Sequence, residues 1–483
     1  MKINVLPSNN IFEELGHNTY DYKDLLSELI DNSLAAREGN SVRVWVDLYV
    51  DRDQVPHRFV ISDDAAGISP DKLGSAITPA GLKTSGSLNE HGLGMKQAVA
   101  ALGKLESLVT KTADRELALE ITEFRFGEID AGEIEFDRLK GTTISVGGLK
   151  PIVVINPTNY TRTIVPYLGA RYRRFLRPDN LILDLTISIR NLETRGVLYS
   201  WSVKEVKPTY FHPSTRENRP VFSKYPIEGT GWKAELTFGY APKDTSEYDE
   251  LGIDLPNKFH PYRVALATQG IDVIFHERVI LFHQLSELGI VNQKHSDYNA
   301  VRGEIVLLYG FATAITKNSI ILDEHFRDCI MQVTQVLNGE KDGPKGRTEN
   351  YVQHKSYPEE IPEALLRDRL IEWLKNNPLQ KKATVSMEYV VEGIEGFIDI
   401  LADGDAWELK RDQACALDVY QLFMYMDIGN FGKGFLVAKS YTPGAHVAVK
   451  AVKEKHQKEI VLSPREQFPI NHQPTTQERE EYY

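Results

Sequence analysis

Four short polar motifs stand in a fixed order over the first 150 residues: Glu28-Leu-Ile-Asp-Asn32, Asp63-Asp-Ala-Ala-Gly67, Asn89-Glu-His-Gly92-Leu-Gly94-Met-Lys96 and Gly141-Thr142-Thr143-Ile144. They interrupt a helical pattern near Tyr22 to Arg37 and β-rich runs near Val42 to Val50 and His57 to Ser62. That alternation predicts an α/β sandwich. Glu28 and Asn32 are four residues apart, so a helix places a carboxylate and an amide on one face. A carboxylate there can orient and deprotonate water, and an amide oxygen is a hard ligand for magnesium. Gly92 and Gly94 open the next helical pattern, where exposed backbone N–H groups can approach an anion. Most Glu and Asn pairs on helices simply face solvent, so the constraint comes from the four motifs together.

No glycine loop ending in Gly-Lys-Ser or Gly-Lys-Thr occurs, and no Rossmann fingerprint. The ordered motifs instead resemble the GHKL ATPases (gyrase, Hsp, histidine kinase and MutL) over about residues 10–150, with MORC and MutL-like members the nearest in look. The resemblance implies that Glu28 is the general base, Asn32 the magnesium ligand and Asp63 the residue that reads adenine. It implies a phosphate-covering lid from Lys83 through Lys96, with Gly67, Gly92 and Gly94 at the nucleotide and Thr142 beside the adenine. Two positions depart from the family pattern: Ala65 stands where a glycine is usual, and Asn89 replaces the first lid glycine. The following domain is similar to the transducer of that family, where a lysine reaches the γ-phosphate. Lys317, in Thr316-Lys317-Asn318, is the candidate, weighed evenly against an ordinary loop lysine.

With 483 residues, 42% hydrophobic and 26% charged, the chain is expected to divide into about three globular domains. The expected fold class is α/β (α+β) multidomain. The expected divisions are a GHKL α/β sandwich at 1–150, a transducer-like α/β domain at 151–337, a linker at 338–360, an α/β/α restriction-endonuclease-like domain at 361–465 and a tail at 466–483. The linker rests on the breaker-rich Asn338 to Arg347, and Gln473 to Glu481 is expected to fray.

In the third domain, Gly396 to Lys410 reads as a hairpin, because Asp403-Gly404 is a favoured two-residue turn between apolar runs. With that turn at the tip, paired residue numbers sum to 807, Asp399 faces Glu408, and Lys410 shares their side of the strand. Facing carboxylates lie roughly 5 Å apart and repel, a conflict that a divalent cation removes. Two acids can hold magnesium or manganese, and a neighbouring lysine can steady charge developing on a phosphate. The bland alternative is a half-exposed hairpin whose lysine neutralises both acids. Over about residues 361–465 the segment resembles the PD-(D/E)xK nucleases, Asp399 matching the first acid and Glu408-Leu409-Lys410 the Glu-x-Lys. In that superfamily an upstream helical acid often completes the metal site; Glu363 is the better placed, with Glu372 and Glu388 as further candidates. Gln421 and Tyr425 are similar to its Gln-x-x-x-Tyr element; only Gln421 is assigned to the site, since Tyr425 also fits a core position.

A net charge of −12 argues against coating nucleic acid by bulk electrostatics, so any such contact is regional. Arg171-Tyr-Arg-Arg-Phe-Leu-Arg177 is read as a helix burying Tyr172, Phe175 and Leu176 rather than as a phosphate-gripping strip. Cys329 and Cys415 are too few and too far apart for a zinc ribbon or a disulfide framework. No signal-peptide pattern or long apolar run is present, so a cytoplasmic protein is expected, with no membrane partner. A phosphoacceptor helical hairpin of a histidine kinase is not expected from His17 alone.

These readings combine into an expected ATPase and magnesium-dependent endonuclease. ATP-driven homodimerisation would gate cleavage of DNA, with RNA left open, in antiphage defence or DNA repair and together with other proteins of the same system. The alternative is an ATP-gated nucleic-acid clamp or scaffold that does not cut.

Overall fold

The computed structural model describes residues 8–17, 20–81, 88, 92–314, 319–344, 350–352, 361–378, 381–391, 396–475, 478 and 482. The chain forms two compact units, Met1–His212 with Arg216–His354, and Pro213–Thr215 with Lys355–Tyr483. It is a mixed α/β multidomain protein, as its alternating patterns predict. Among the described residues, no helix is long and apolar enough to cross a membrane.

The first unit opens with a short helix α1 (Asn10–Glu14) and the motif-bearing α2 (Tyr22–Ala35). Asp21 starts α2 by a capping box with Asp24, which satisfies two otherwise unpaired backbone N–H groups. Leu25, Leu26, Leu29, Ile30 and Leu34 are all buried on it. The strands β1 (Val42–Val50) and β2 (Pro56–Asp63) pair antiparallel. On β1 the alternate residues Val42, Val44, Val46, Leu48 and Val50 are buried, the period of two that seats one sheet face on a helical layer. Next come α3 (Pro70–Ile77), α4 (Gly94–Leu102), β3 (Lys104–Lys111), β4 (Ala118–Ile121), β5 (Gly132–Ile134) and β6 (Gly141–Gly147). A one-turn α5 (Pro157–Asn159) and α6 (Val165–Arg171) lead to β7 (Leu183–Asn191) and β8 (Val197–Ser202). The sheet order is β5-β4-β3-β6-β2-β1-β7-β8, with β7 parallel to β1. The first sheet therefore takes two strands from beyond residue 150, and its core runs from Tyr20 to Val203.

A second sheet in the same unit is built from β9 (Phe222–Gly229), β10 (Trp232–Tyr240), β11 (Gly270–Phe275), β12 (Arg278–Gln284) and β13 (Val301–Tyr309), in the order β12-β11-β13-β10-β9. Helix α7 (Thr245–Glu250) lies in the β10 to β11 connection, and α8 (Glu324–Leu337) covers the sheet with Phe326, Cys329, Val333 and Leu337. The segment beyond α8 is not uniformly solvated as a linker would be. Tyr351 and Val352 are buried in this second core, because an aromatic and a β-branched side chain gain more from burial than a polar tether needs from water.

The second unit has α9 (Glu363–Asn376), β14 (Val385–Val390), β15 (Phe397–Ala402), β16 (Asp405–Leu409), β17 (Gln413–Ala414), α10 (Ala416–Ile428), β18 (Lys433–Ala438), β19 (Ser440–Tyr441), α11 (Pro443–His456) and β20 (Glu459–Pro464). Its main sheet runs β14-β15-β16-β18-β20, antiparallel over the first three strands and parallel over the last three. Leu366, Leu370 and Leu374 of α9 pack with Ile400, Trp407 and Leu409. Leu422 and Met426 of α10 and Ala445 and Val452 of α11 pack with Ala406, Leu436 and Ala438. The result is an α/β/α layering. The start of the expected tail at 466–483 belongs to this unit, since Phe468 and Ile470 join the α9 core; within the stretch expected to fray, Glu478 accepts 2.8 and 2.9 Å hydrogen bonds from Arg369. A two-pronged guanidinium–carboxylate pair of this kind holds its geometry better than a single contact, and it draws the Glu478 carboxyl down to about 2.

Candidate functional site

Helix α2, the end of β2, the N-terminus of α4 and the start of β6 surround one pocket in the first unit. Asn32, Ser33, Asp63, Gly67, Gly92, Lys96 and Thr142 line it, together with apolar Leu29, Ile61, Ile68, Met95 and Ile144. Its empty space is about 780 Å³ with open solvent included. All four sequence motifs contribute to this lining.

Asp63, 8% exposed, is the pocket's fixed polar centre. Its Oδ2 accepts from Ser33 Oγ at 2.7 Å, and its Oδ1 accepts from the backbone N–H groups of Thr142 at 3.0 Å and Ala65 at 3.1 Å. Burial pushes its carboxyl upward while these hydrogen bonds favour the charged form. A carboxylate held this way on a mostly apolar wall can accept from an exocyclic amine. Gly141 makes the arrangement feasible: its φ is +129°, and a Cβ there would lie 2.0 Å from the Asp63 carbonyl oxygen. Gly141→Ala is expected to cost stability on the order of 1–3 kcal/mol, checked by denaturant unfolding of the full chain. Gly67 is constrained likewise, with φ +73° and a Cβ position 2.1 Å from the Lys111 carbonyl oxygen.

Asn32 lines the pocket, and its Nδ2 has no hydrogen-bond partner among the described residues. A nucleotide-bound magnesium would suit the amide oxygen. Gly94 is the first residue of α4, whose N-terminus meets the pocket through Gly92, Met95 and Lys96. Lys96 is buried, and its ammonium donates to the carbonyls of Ala76 at 2.6 Å and Gly92 at 2.7 Å, so here it secures the base of the expected lid. Lys83, Asn89 and Lys317 fall outside the described residues.

Glu28 is 1% exposed and does not line the pocket. The buried arginines Arg171 and Arg278 both feel its charge. Sequence reasoning assigned no role to Arg278 and read the Arg171 to Arg177 tract as helix. The structure keeps Tyr172, Phe175 and Leu176 buried, but α6 ends at Arg171, and Arg171 and Arg173 are buried as well. Arg173 pairs with Asp272 at 3.0 Å and Glu304 at 2.8 Å. No sequence periodicity flags a buried arginine; the only signal is aromatic neighbours that force the segment inward.

The sheet and its pocket define an α/β nucleotide-binding module. Residues 20–136 match the family model described as Histidine kinase-, DNA gyrase B-, and HSP90-like ATPase, so the chain carries a GHKL-type ATPase domain there. No curated protein matches the chain.

The second unit gathers the other group of predicted residues around its hairpin. The register pairs Ile400 with Trp407, Leu401 with Ala406 and Ala402 with Asp405, each sum being 807 as the turn predicts. Asp403 and Gly404 both have positive φ, +49° and +82°, the two-residue I′ geometry. Asp399 Oδ2 accepts from Leu409 N at 2.8 Å, and Glu408 Oε1 accepts from Lys410 Nζ at 2.9 Å. Glu408 is 3% exposed, and its Oε2 has no hydrogen-bond partner among the described residues. Burial first, then the charge of Asp399, pushes the Glu408 carboxyl up to about 7. Burial also raises Asp399, with the charge of Glu363 adding to the shift. For Lys410, burial acts downward, but Glu408, Asp399 and Glu363 together outweigh it and the net direction is up.

Glu363, the first residue of α9, accepts from Arg411 N at 2.7 Å and so stands beside the acids through both Asp399 and the strand's end. Glu388 is drawn away by Arg367 at 2.8 Å, and Glu372 is bonded to Asn376. Gln421 donates to Tyr425 Oη at 3.0 Å, and Tyr425 is a core residue. Among the described residues, no three His, Cys, Asp or Glu side chains already form a metal cluster. The donors present are two carboxylates, one oxygen of which is unsatisfied. That set fits magnesium, which is usually held by one or two carboxylates plus waters and substrate phosphate.

Proposed function

We propose that this chain is an ATP-regulated, metal-dependent nuclease. Its GHKL domain would bind and hydrolyse ATP with Glu28 as general base, Asn32 on magnesium, Asp63 and Thr142 at the adenine, and Gly67, Gly92, Gly94, Lys83 and Lys96 around the phosphates. Lys317 would meet the γ-phosphate. In the second unit, Asp399 and Glu408, supported by Glu363, would hold magnesium or manganese. Lys410 would steady charge on the scissile phosphate, and Gln421 would assist. Domains of the GHKL type commonly dimerise, and ATP-driven pairing of two chains would bring two cutting sites onto captured DNA. Antiphage defence or DNA repair, inside the cell, is the setting such gating suits. The domain limits proposed for these roles follow the cores: the ATPase sheet and its helices to Val203, the transducer-like sheet from Ile227 to Val352, and the nuclease-like unit from Ile361 to Ile470.

The observation that carries the cutting half is Glu408: a buried carboxylate with one unsatisfied oxygen, raised by its own burial and by Asp399. A hairpin whose lysine merely neutralised its acids would have no use for that oxygen. The test incubates the purified full-length chain with plasmid, linear and single-stranded DNA and with RNA, in the presence and absence of magnesium. Cleavage that is lost in Asp399→Ala and Lys410→Ala is expected. Cleavage that persists unchanged in both removes the site, and binding without cleavage in every arm favours the clamp.

For the nucleotide half, Asp63→Asn is expected to weaken ATP binding about 10-fold or more, the scale of a lost hydrogen bond to a charged group. Titration of a fluorescent ATP analogue checks it.

A further inference from the structure

We infer that Arg278 is a positioning residue for ATP hydrolysis: by pairing with Asp31 it fixes the Glu28-bearing helix against the second sheet, so that turnover, rather than nucleotide binding, depends on that seat. This rests on the ATPase reading above and names what governs it.

Arg278 opens β12 directly after a tight turn, His276-Glu277, in which both residues have positive φ, +50° and +62°. Neither is a glycine or an asparagine, so the backbone adopts a conformation that ordinary side chains disfavour. The turn delivers Arg278 onto α2. There its guanidinium is 1% exposed and forms an ion pair with Asp31, itself 0% exposed. Asp31 lies three residues after Glu28 and immediately before Asn32, between the base and the magnesium ligand. Its other oxygen accepts from Tyr172 Oη at 2.8 Å, and that hydroxyl also reaches the Ser27 carbonyl at 3.0 Å. Glu28 is foremost among the charges acting on Arg278 and opposes the effect of burial, which lowers the guanidinium to about 10. Tyr20, Arg171 and Tyr172 also feel the charge of Glu28, and Asp24 acts on Tyr20 and Arg171 beside it.

The second sheet is also tied to the turn that follows α6. Arg173 bonds Glu304 and Asp272, and Arg174 bonds Glu304 and Glu277. Arg171 in the same tract faces Glu28 and Asp24. Two separate attachments of the second sheet therefore converge on the helix that carries the base. Asp63 and Thr142 lie on β2 and β6, outside both attachments; α2 also gives Leu29, Asn32 and Ser33 to the pocket wall, but turnover depends on the placement of Glu28 far more steeply than affinity depends on these contacts.

The experiment compares steady-state ATPase kinetics and binding of a fluorescent ATP analogue in the full-length chain and in Arg278→Met, Arg278→Lys, Asp31→Asn and the Arg278→Met/Asp31→Asn double variant. Misplacing a reacting group lowers turnover steeply, so Arg278→Met should reduce kcat about 10-fold or more, with KM and analogue affinity within about threefold of wild type. Arg278→Lys should recover part of the loss. The double variant removes both buried charges, which protects the fold better than removing one, and should turn over no more slowly than the worse single variant. A wild-type chain that hydrolyses ATP alongside an Arg278→Met with unchanged kcat overturns this inference alone. So does an Arg278→Met that loses binding and turnover together. A wild-type chain that binds ATP but never hydrolyses it overturns the ATPase reading, and this inference falls with it.

Discussion

Glu28→Ala is expected to lower steady-state ATP turnover by about 10²–10⁴-fold, the range for loss of a general base, while leaving nucleotide binding nearly intact. The separation follows from position. Glu28 is 1% exposed and stands outside the pocket lining, whereas Asp63, Thr142 and Asn32 are in it. In the proposed role its removal would delete an interaction with the attacking water rather than one that holds the nucleotide. Phosphate release measured beside analogue binding on the same sample checks both halves. Normal turnover in a folded Glu28→Ala chain would strip Glu28 of the base role.

Glu408→Gln should abolish metal-dependent cleavage and, in metal-free protein at alkaline pH, raise stability. Glu408 is lifted from the ordinary carboxylate value of 4.5 to about 7 by burial and by Asp399. The folded chain therefore keeps a proton that the unfolded chain has already released. That group's contribution to stability is fully present below about pH 4.5 and is lost as pH rises through about 7. Wild type should accordingly unfold at a lower temperature at pH 8 than at pH 5 in chelator, while the neutral isostere is spared this part of the loss. Added magnesium or manganese should stabilise wild type at pH 8 and leave Glu408→Gln unmoved. Thermal unfolding at the two pH values, with chelator or with metal, reads all of this. A variant less stable than wild type at pH 8, beside a wild type indifferent to metal, would return the acids to a purely structural role.

The parts of this molecule governed by local rules could be read from its residues. Asp403-Gly404 sets a two-residue turn, and the turn sets the register that the pairs Ala402–Asp405, Leu401–Ala406 and Ile400–Trp407 follow, with Asp399 and Glu408 the next positions along the two strands. The motif at Asp63 likewise marks the end of a β-run, and β2 ends there. Strand partners chosen across long separations could not be read. Nothing local in Leu183 to Ser202 says that β7 will lie parallel to β1 rather than join the second sheet. Buried cations are equally opaque, because arginine is normally a surface residue. Arg173 and Arg278 are buried only because Asp272, Glu304 and Asp31, distant in sequence, are there to receive them. The end of the chain is opaque for a similar reason: its polar composition hides the burial of Phe468 and Ile470 and the Glu478 contact to Arg369.

Coupling between the two chemistries is tested most directly by the rate at which the full-length chain nicks a supercoiled plasmid in magnesium, with and without ATP, in wild type and in Glu28→Ala. Cleavage by wild type that rises about 10-fold or more with ATP is the expected outcome, as a closure step that assembles a site would give. Cleavage at the same rate with and without nucleotide, in a preparation that hydrolyses ATP, would contradict the gating.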